Sequence, residues 1–151
     1  MNKRFVIALA AAFASAAWAQ KSPSGNTGFD GLDNNRDGYL GKEEIAGEKE
    51  LAKRFTRFDG NKDGRWTLDE YIKANKDNDE RIVADSAITT KVKTALLTEK
   101  GVPSTAISVE TYEARVQLSG FVDTVAIKEK AGKVAAGVSG VKTVENKLAV
   151  K

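Results

Sequence analysis

The chain of 151 residues contains no cysteine and no histidine, and it has only two prolines and one methionine. The absence of histidine excludes Ser-His-Asp and Cys-His catalytic arrangements and zinc sites built from imidazole. The absence of cysteine excludes disulfides, thiolate nucleophiles, iron–sulfur centres and lipid-modified cysteines. Carboxylates, hydroxyls and amides remain, and they suit the binding of a hard, oxygen-preferring cation. We therefore predict that the protein is not an enzyme and has no catalytic residues.

The N-terminus has the pattern of a secretory signal peptide. Two basic residues, Lys3 and Arg4, precede an alanine-rich apolar run over residues 5–16, and residues 17–19 (Ala-Trp-Ala) have the small side chains that signal peptidase accepts. The run is shorter than the ~20 residues that span a bilayer. A buried N-terminal helix is the alternative, but it leaves the charge placement unexplained. We predict cleavage after Ala19 and a soluble protein that acts outside the cytoplasm.

One sequence pattern occurs twice, over residues 29–44 and 55–70. Each copy contains D-x-N-x-D-G-x5-E, the pattern of the twelve-residue EF-hand calcium loop. Positions 1, 3 and 5 supply side-chain oxygens, position 7 a backbone carbonyl and position 12 a bidentate glutamate, while glycine at position 6 permits the sharp turn. The predicted ligands of the two calcium ions are Asp33, Asn35, Asp37, the carbonyl of Tyr39 and Glu44 in loop 1 (residues 33–44), and Asp59, Asn61, Asp63, the carbonyl of Arg65 and Glu70 in loop 2 (residues 59–70).

Two alternatives to calcium follow from the same residues. A pair of Asx-rich turns that begin helices would use the aspartates and asparagines, but it does not explain why a glutamate follows each glycine by six residues. The close spacing of the loops is similar to that of lanmodulin-type rare-earth binders. Those proteins, however, usually carry proline at position 2, where this chain has Asn34 and Gly60. They also carry aspartate at position 9, where this chain has Gly41 and Thr67. We therefore favour calcium.

The loops define the predicted N-terminal organisation. Residues 20–28 are poor helix formers and are expected to be a flexible segment that leaves a short entering helix. An EF-hand pair is expected over residues 29–73, with one helix of about 21 Å at residues 45–58 between the loops. The position-8 residues, Leu40 and Trp66, are expected to pair across a short strand. The charged residues 74–82 predict a linker.

The remaining residues, 83–151, have the hydrophobic periodicity of a small α-β-β-α-β domain. Apolar residues at helical spacing predict helices over residues 85–99 and 124–139. Alternating apolar residues predict two strands joined around residues 112–114 and a third strand at residues 144–150. The predicted fold class is therefore α+β, with an N-terminal helical EF-hand pair followed by this domain.

The C-terminal residues resemble the BON domain, the module of OsmY-type periplasmic proteins. The resemblance rests on Asp85-x-x-Ile88-x-x-x-Val92-Lys93-x-Ala95-Leu96, Ile107-x-Val109, Val116-x-Leu118-Ser119-Gly120-x-Val122 and Val138-x-Gly140-Val141-x-x-Val144-x-Asn146-x-Leu148. It implies a periplasmic or outer-membrane-associated binding module that contacts anionic phospholipids and is linked to osmotic stress and envelope integrity. The family has no known catalytic residues to transfer.

Formal charge divides the predicted mature chain into two unlike parts. Residues 20–80 carry 11 basic and 14 acidic side chains (−3), whereas residues 81–151 carry 11 basic and 7 acidic ones (+4). We expect a non-enzymatic envelope or stress protein in which calcium neutralises the first part and favours contact with anionic phospholipid or an envelope protein. The alternatives are a purely structural calcium ion in a protein-interaction module and, least favoured, an enzyme with paired carboxylates. No nucleic-acid partner is predicted.

Overall fold

A computed structural model describes residues 24–151, so the predicted signal peptide and its cleavage site lie outside the described residues. The helices of this part of the chain are Thr27–Leu32 (α1), Lys42–Ile45 (α2), Lys49–Ala52 (α3), Phe55–Phe58 (α4), Leu68–Thr98 (α5) and Val125–Ala136 (α6), with a 3-10 turn at Ser104–Ala106. The strands are Leu40–Gly41 (β1), Arg65–Trp66 (β2), Ile107–Tyr112 (β3), Arg115–Val122 (β4) and Thr143–Val150 (β5). The mixed content confirms the α+β class.

The N-terminal region joins its two acidic loops through a short antiparallel ladder. β1 pairs with β2 so that Leu40 lies opposite Trp66, which confirms the predicted position-8 pair. Both side chains are fully buried. They belong to a small core of mostly apolar and aromatic side chains from α1 to α5: Phe29, Leu40, Ile45, Leu51, Phe55, Trp66, Tyr71 and Ala74.

The connection between the loops differs from its prediction. Residues 45–58 do not form one helix, because they contain the last residue of α2 and two further single-turn helices, α3 and α4, with non-helical residues between them. Gly47, which favours a break because it gains little from helical backbone, lies between α2 and α3. The N-terminal boundary also shifts. α1 begins at Thr27, inside the predicted flexible segment 20–28, because the Asn26 side chain accepts a hydrogen bond from the Phe29 amide and caps the helix.

The prediction of a linker at residues 74–82 is wrong, because these residues lie within the 31 residues of helix α5. The segment contains no glycine or proline, and its charges pair at helical spacing, as between Arg81 and Asp85 at 3.1 Å. α5 is about 46 Å long. Its first turns contribute Tyr71 to the N-terminal core, and its last turns contribute Val92 to a second core.

The C-terminal region has the predicted α-β-β-α-β order. β3 and β4 form an antiparallel hairpin, and β4 pairs in parallel with β5 after the α6 crossover. α5 and α6 pack against the sheet and against each other. The core they enclose consists of Ile88, Val92, Leu96, Val102, Ile107, Val109, Val116, Leu118, Val122, Ala131, Ala135 and Leu148. Within residues 24–151, no helix has the length and apolar content needed to cross a membrane.

Candidate metal centre

The two acidic loops adopt the same backbone conformation. Position 4 has a left-handed φ in both, 58° at Arg36 and 59° at Lys62, and both side chains are exposed. The position-6 glycines also have positive φ, 78° at Gly38 and 79° at Gly64. Side chains with a Cβ rarely adopt this conformation, so glycine is needed at the point where each loop reverses. The repeated sequence pattern therefore produces a repeated turn.

Both carboxylate oxygens at position 1 of loop 1 accept hydrogen bonds from backbone amides. Asp33 is 8% exposed. Its Oδ1 accepts a hydrogen bond from the amide of Asp37 at 3.1 Å, and its Oδ2 accepts one from the amide of Gly38 at 2.9 Å. The carboxylate thus holds the turn closed across five residues.

Position 1 of loop 2 is only half satisfied. The Oδ2 of Asp59 accepts from the Gly64 amide at 3.0 Å, as its counterpart does in loop 1. Its Oδ1 is buried and has no hydrogen-bond partner within residues 24–151. A buried polar atom without a partner costs about 1–3 kcal/mol, and more when charged. An oxygen in this state fits a bound cation, because coordination would replace the missing hydrogen bond.

Positions 3 and 5 form the same internal pair in each loop. In loop 1 the Asn35 side chain donates to the Asp37 carboxylate at 3.2 Å and accepts from the Asp37 amide at 2.8 Å. In loop 2 the corresponding distances between Asn61 and Asp63 are 2.9 and 3.1 Å. These contacts place an amide oxygen and a carboxylate beside each other at the turn. Both are ligand types that Ca²⁺ uses.

The position-12 glutamates reach back across their loops. Glu44 accepts hydrogen bonds from the amides of Gly41 at 2.9 Å and Asn35 at 3.3 Å. Glu70 accepts from the amides of Gly60 at 2.9 Å and Thr67 at 2.8 Å. Each glutamate therefore connects the two ends of its loop.

Glu70 has an additional partner that sequence reasoning overlooked. The Thr67 hydroxyl donates to Glu70 Oε2 at 2.9 Å. The same hydroxyl accepts from the Glu70 amide, and this bond together with the one from the Thr67 amide to Glu70 forms a capping box at the start of α5. Burial, the largest influence, raises the pKa of Glu70, but the hydrogen bonds from Thr67 and Gly60 together outweigh it and leave the pKa lowered. The Thr-x-x-Glu spacing was the available sequence signal for this cap.

The position-7 residues, Tyr39 and Arg65, contact each other beside the β1–β2 ladder. The guanidinium carbon of Arg65 is 4.6 Å from the centroid of the Tyr39 ring. Next to them, Trp66 donates its indole N–H to the carbonyl of Phe55 at 3.0 Å and stacks on the Phe55 ring at 5.1 Å. These contacts fix the two loops side by side in one unit.

The ten predicted ligand residues therefore lie in two adjacent, similarly built loops. Within residues 24–151, no three acidic side chains are grouped closely enough to hold a metal ion by themselves. Backbone amides instead occupy most of the carboxylate oxygens. Each loop contributes three carboxylates and one asparagine side chain, a donor set of hard oxygens that suits Ca²⁺ or a trivalent rare-earth ion better than a soft metal.

The C-terminal region adds a close contact that its sequence pattern explains. Gly120 in β4 has a φ of 127°, and a Cβ at this position would clash with the carbonyl of Ala106. Only glycine fits there. Residues 84–151 match the sequence model of the BON domain family.

The chain also has a known relative. It is similar to osmotically-inducible protein Y of Escherichia coli (strain K12), with 54% identity over 67 residues. The match includes 44% of this chain and 33% of that protein, so the chain covers about a third of its relative's length. The family match begins at residue 84 and does not include the acidic loops.

The surface of the BON domain combines lysines with isolated apolar side chains. Among the lysines of α6, Lys130 forms an ion pair with Glu99 at 2.6 Å. Lys91 and Lys133 are exposed. Phe121 in β4 and Val125 at the start of α6 are each 59% exposed. The surface of the BON domain therefore carries both positive charge and exposed apolar side chains.

Proposed function

We propose that the acidic loops are an EF-hand pair that binds two calcium ions. The observation that carries this proposal is the buried, unpartnered Oδ1 of Asp59 at the first ligand position of loop 2. The antiparallel contact of Leu40 with Trp66 and the matching φ angles of the loops support the same assignment. The ten residues predicted from the sequence would hold the ions, with the carbonyls of Tyr39 and Arg65 at position 7.

A fluorescence titration tests this proposal directly. The predicted mature chain, residues 20–151, contains Trp66 as its single tryptophan, and this side chain immediately precedes position 9 of loop 2. Calcium is expected to change its emission saturably, because ordering loop 2 alters the surroundings of the buried indole. Lanthanum in a parallel titration tests the rare-earth alternative. No emission change with either ion would refute ion binding by loop 2.

A matched pair of variants identifies the site. Glu70→Gln removes one position-12 charge while keeping the size of the side chain, and Glu48→Gln makes the same change at an exposed position between α2 and α3. We expect the first variant to weaken the fluorescence response by about tenfold or more in calcium concentration. The second is expected to titrate like the parent chain.

We further propose that the protein is a secreted, periplasmic, non-enzymatic envelope protein of the osmotic-stress type, in which calcium influences contact with anionic phospholipid. The similarity of the chain to an osmotically-inducible protein supports the stress role. The charge of +4 over residues 81–151 and the exposed Phe121 and Val125 support lipid contact. Each lysine near an anionic surface adds about 1 kcal/mol of attraction.

Flotation of liposomes tests the lipid contact. Residues 20–151 are mixed with vesicles of neutral lipid or of neutral and anionic lipid, with calcium or with chelator. We expect flotation with anionic vesicles only, and more of it with calcium. A protein that stays in the bottom fraction under all four conditions would end the lipid proposal and leave calcium binding intact.

A purely structural role for calcium is the second candidate, and the small size of the N-terminal core favours it. Among residues 24–151, that core contains eight buried apolar and aromatic side chains, which is little burial for a region that lies apart from the BON core. Ion binding would then contribute directly to its folding, and the BON domain would bind a protein partner. Circular dichroism in chelator separates the two roles, since a fully folded apo chain would exclude this one.

A further inference from the structure

The BON domain contacts the N-terminal region through Tyr112 at the end of β3. Its hydroxyl donates to Glu50 Oε2 at 3.0 Å and accepts from Lys53 Nζ at 3.0 Å. Lys53 Nζ and the guanidinium carbon of Arg81 lie 4.7 and 4.8 Å from the centroid of its ring. One side chain of the BON domain therefore contacts Glu50 in α3, Lys53 immediately after α3, and Arg81 in α5.

The charges around this contact favour the observed arrangement. The hydrogen bond from Lys53 is the largest influence on Glu50, and with Tyr112 and Arg81 it holds the pKa of the carboxyl below its usual value. The same hydrogen bond raises the pKa of Lys53. Glu50 also lies 3.4 Å from Arg81. The Tyr112 phenol thus contacts a group of oppositely charged side chains, Glu50, Lys53 and Arg81.

The hairpin turn that follows Tyr112 is held by the same helix. Asp85 of α5 is buried, and its two oxygens accept hydrogen bonds from the amides of Glu113 at 2.9 Å and Ala114 at 2.8 Å. Both turn residues have positive φ, 51° and 62°, although neither is glycine. The unfavourable turn conformation persists because Asp85 binds both of its amides. The position of Tyr112 is therefore fixed on the BON side.

On the other side, the contact leads to loop 2 through buried groups. Arg54, which is 6% exposed, follows α3 and donates to the carbonyl of Glu50 at 2.7 Å. The next residue, Phe55, begins α4 and accepts the indole hydrogen bond of Trp66. α4 ends at the residue before Asp59. Single-turn helices such as α3 and α4 are not stable alone, so their order depends on the contacts at both ends.

We infer that Tyr112 couples ion binding in loop 2 to the BON domain, an inference that rests on the proposed function. Coordination of Asp59 fixes the end of α4, and the ordered α3–α4 segment then presents Glu50 and Lys53 to Tyr112. By linkage, the free energy with which the ion favours this contact equals that with which the contact favours the ion. The regulation of the loops thus includes the BON domain.

Calcium titrations of three variants of residues 20–151, followed by Trp66 fluorescence, test the coupling. Tyr112→Ala is expected to weaken calcium binding about fivefold or more, the lower range of allosteric coupling. Tyr112→Phe, which keeps the ring and loses the hydroxyl, is expected to give a smaller loss. Leu97→Ala is the control, because it removes an exposed apolar side chain about 24 Å along α5 from Arg81, and its titration should match that of the parent chain. Far-UV circular dichroism verifies that each variant is folded.

An NMR measurement gives a second readout on the BON side. Calcium is expected to shift the amide resonances of Glu113 and Ala114 in the parent chain, and to shift them less in Tyr112→Phe. If Trp66 responds to calcium but these amides do not shift and Tyr112→Ala binds normally, the coupling is refuted while calcium binding stands. If Trp66 does not respond at all, the proposed function fails and the coupling fails with it.

Discussion

Loop 1 and loop 2 have the same motif and the same backbone angles, yet their ligand groups differ in how fully they are used. In loop 1 both oxygens of Asp33 accept amide hydrogen bonds. In loop 2 the equivalent oxygen of Asp59 is buried without a partner in the described part of the chain. The end of loop 2 is also held by the capping box of Thr67 and Glu70, whereas loop 1 has Gly41 at the same position.

The comparison teaches that a shared motif fixes the turn but not the readiness of a site. Loop 1 uses both oxygens of its first carboxylate to stabilise itself, so an ion must share each of them with a backbone amide. Loop 2 leaves one such oxygen uncompensated and adds the Thr67 hydroxyl bond to its glutamate, which lowers the cost of reorganisation on binding. We therefore expect loop 2 to fill first.

The largest effect is expected at position 8. Trp66→Ala removes a buried ring that stacks on Phe55 and leaves the Phe55 carbonyl without its indole partner. It should cost about 4 kcal/mol of unfolding free energy, against about 3 kcal/mol for Leu40→Ala in loop 1. Urea unfolding followed by circular dichroism measures both variants, since the first lacks tryptophan. An equal or larger loss at Leu40 would show that loop 2 does not carry the greater share of this core.

The second difference concerns ion affinity at position 1. Asp59→Asn should weaken the tighter of two calcium-binding steps by about tenfold or more, because it removes the charge at the readier site. Asp33→Asn is expected to weaken the other step and to leave the tighter one nearly unchanged. Isothermal titration calorimetry resolves the two steps. A reversed pattern would mean that loop 1 fills first.

The smallest effects are expected at position 9. Thr67→Ala removes the N-cap of α5 and should cost about 1 kcal/mol of unfolding free energy in chelator. Gly41→Thr should gain a few tenths of a kcal/mol, because glycine is already an acceptable cap and the φ of −75° at this residue permits a side chain. Urea unfolding of both variants without calcium gives the comparison. A loss at Gly41 comparable to that at Thr67 would remove the distinction between the two caps.

Local patterns made much of the fold predictable. The alternation of apolar residues in β3 and β4 predicted the hairpin around residues 112–114, and the helical spacing after Thr124 predicted α6, whose N-cap is that threonine. The acidic loops were found because their ligand residues recur at fixed spacing. All of these signals act over fewer than about twenty residues.

What the sequence did not reveal depends on longer range. Residues 74–82 resemble a linker because they lack an apolar stripe, although no residue in them breaks a helix and α5 is anchored in a core at each end. Tyr112 contacts Lys53 and Glu50, which precede it in the sequence by 59 and 62 positions. A polar contact of this kind leaves no periodic signal. The unpartnered oxygen of Asp59 likewise depends on packing and not on spacing.

Helix α5 also limits how the chain can change in evolution or by design. Its first turns and its last turns belong to different cores, so one inserted residue between them would rotate one core relative to the other by about 100°. A fragment that began at residue 84 would start in the middle of the helix, without the Thr67 cap and without Arg81. Exposed side chains in the middle of α5 can therefore be substituted, whereas the number of residues between the two cores is fixed.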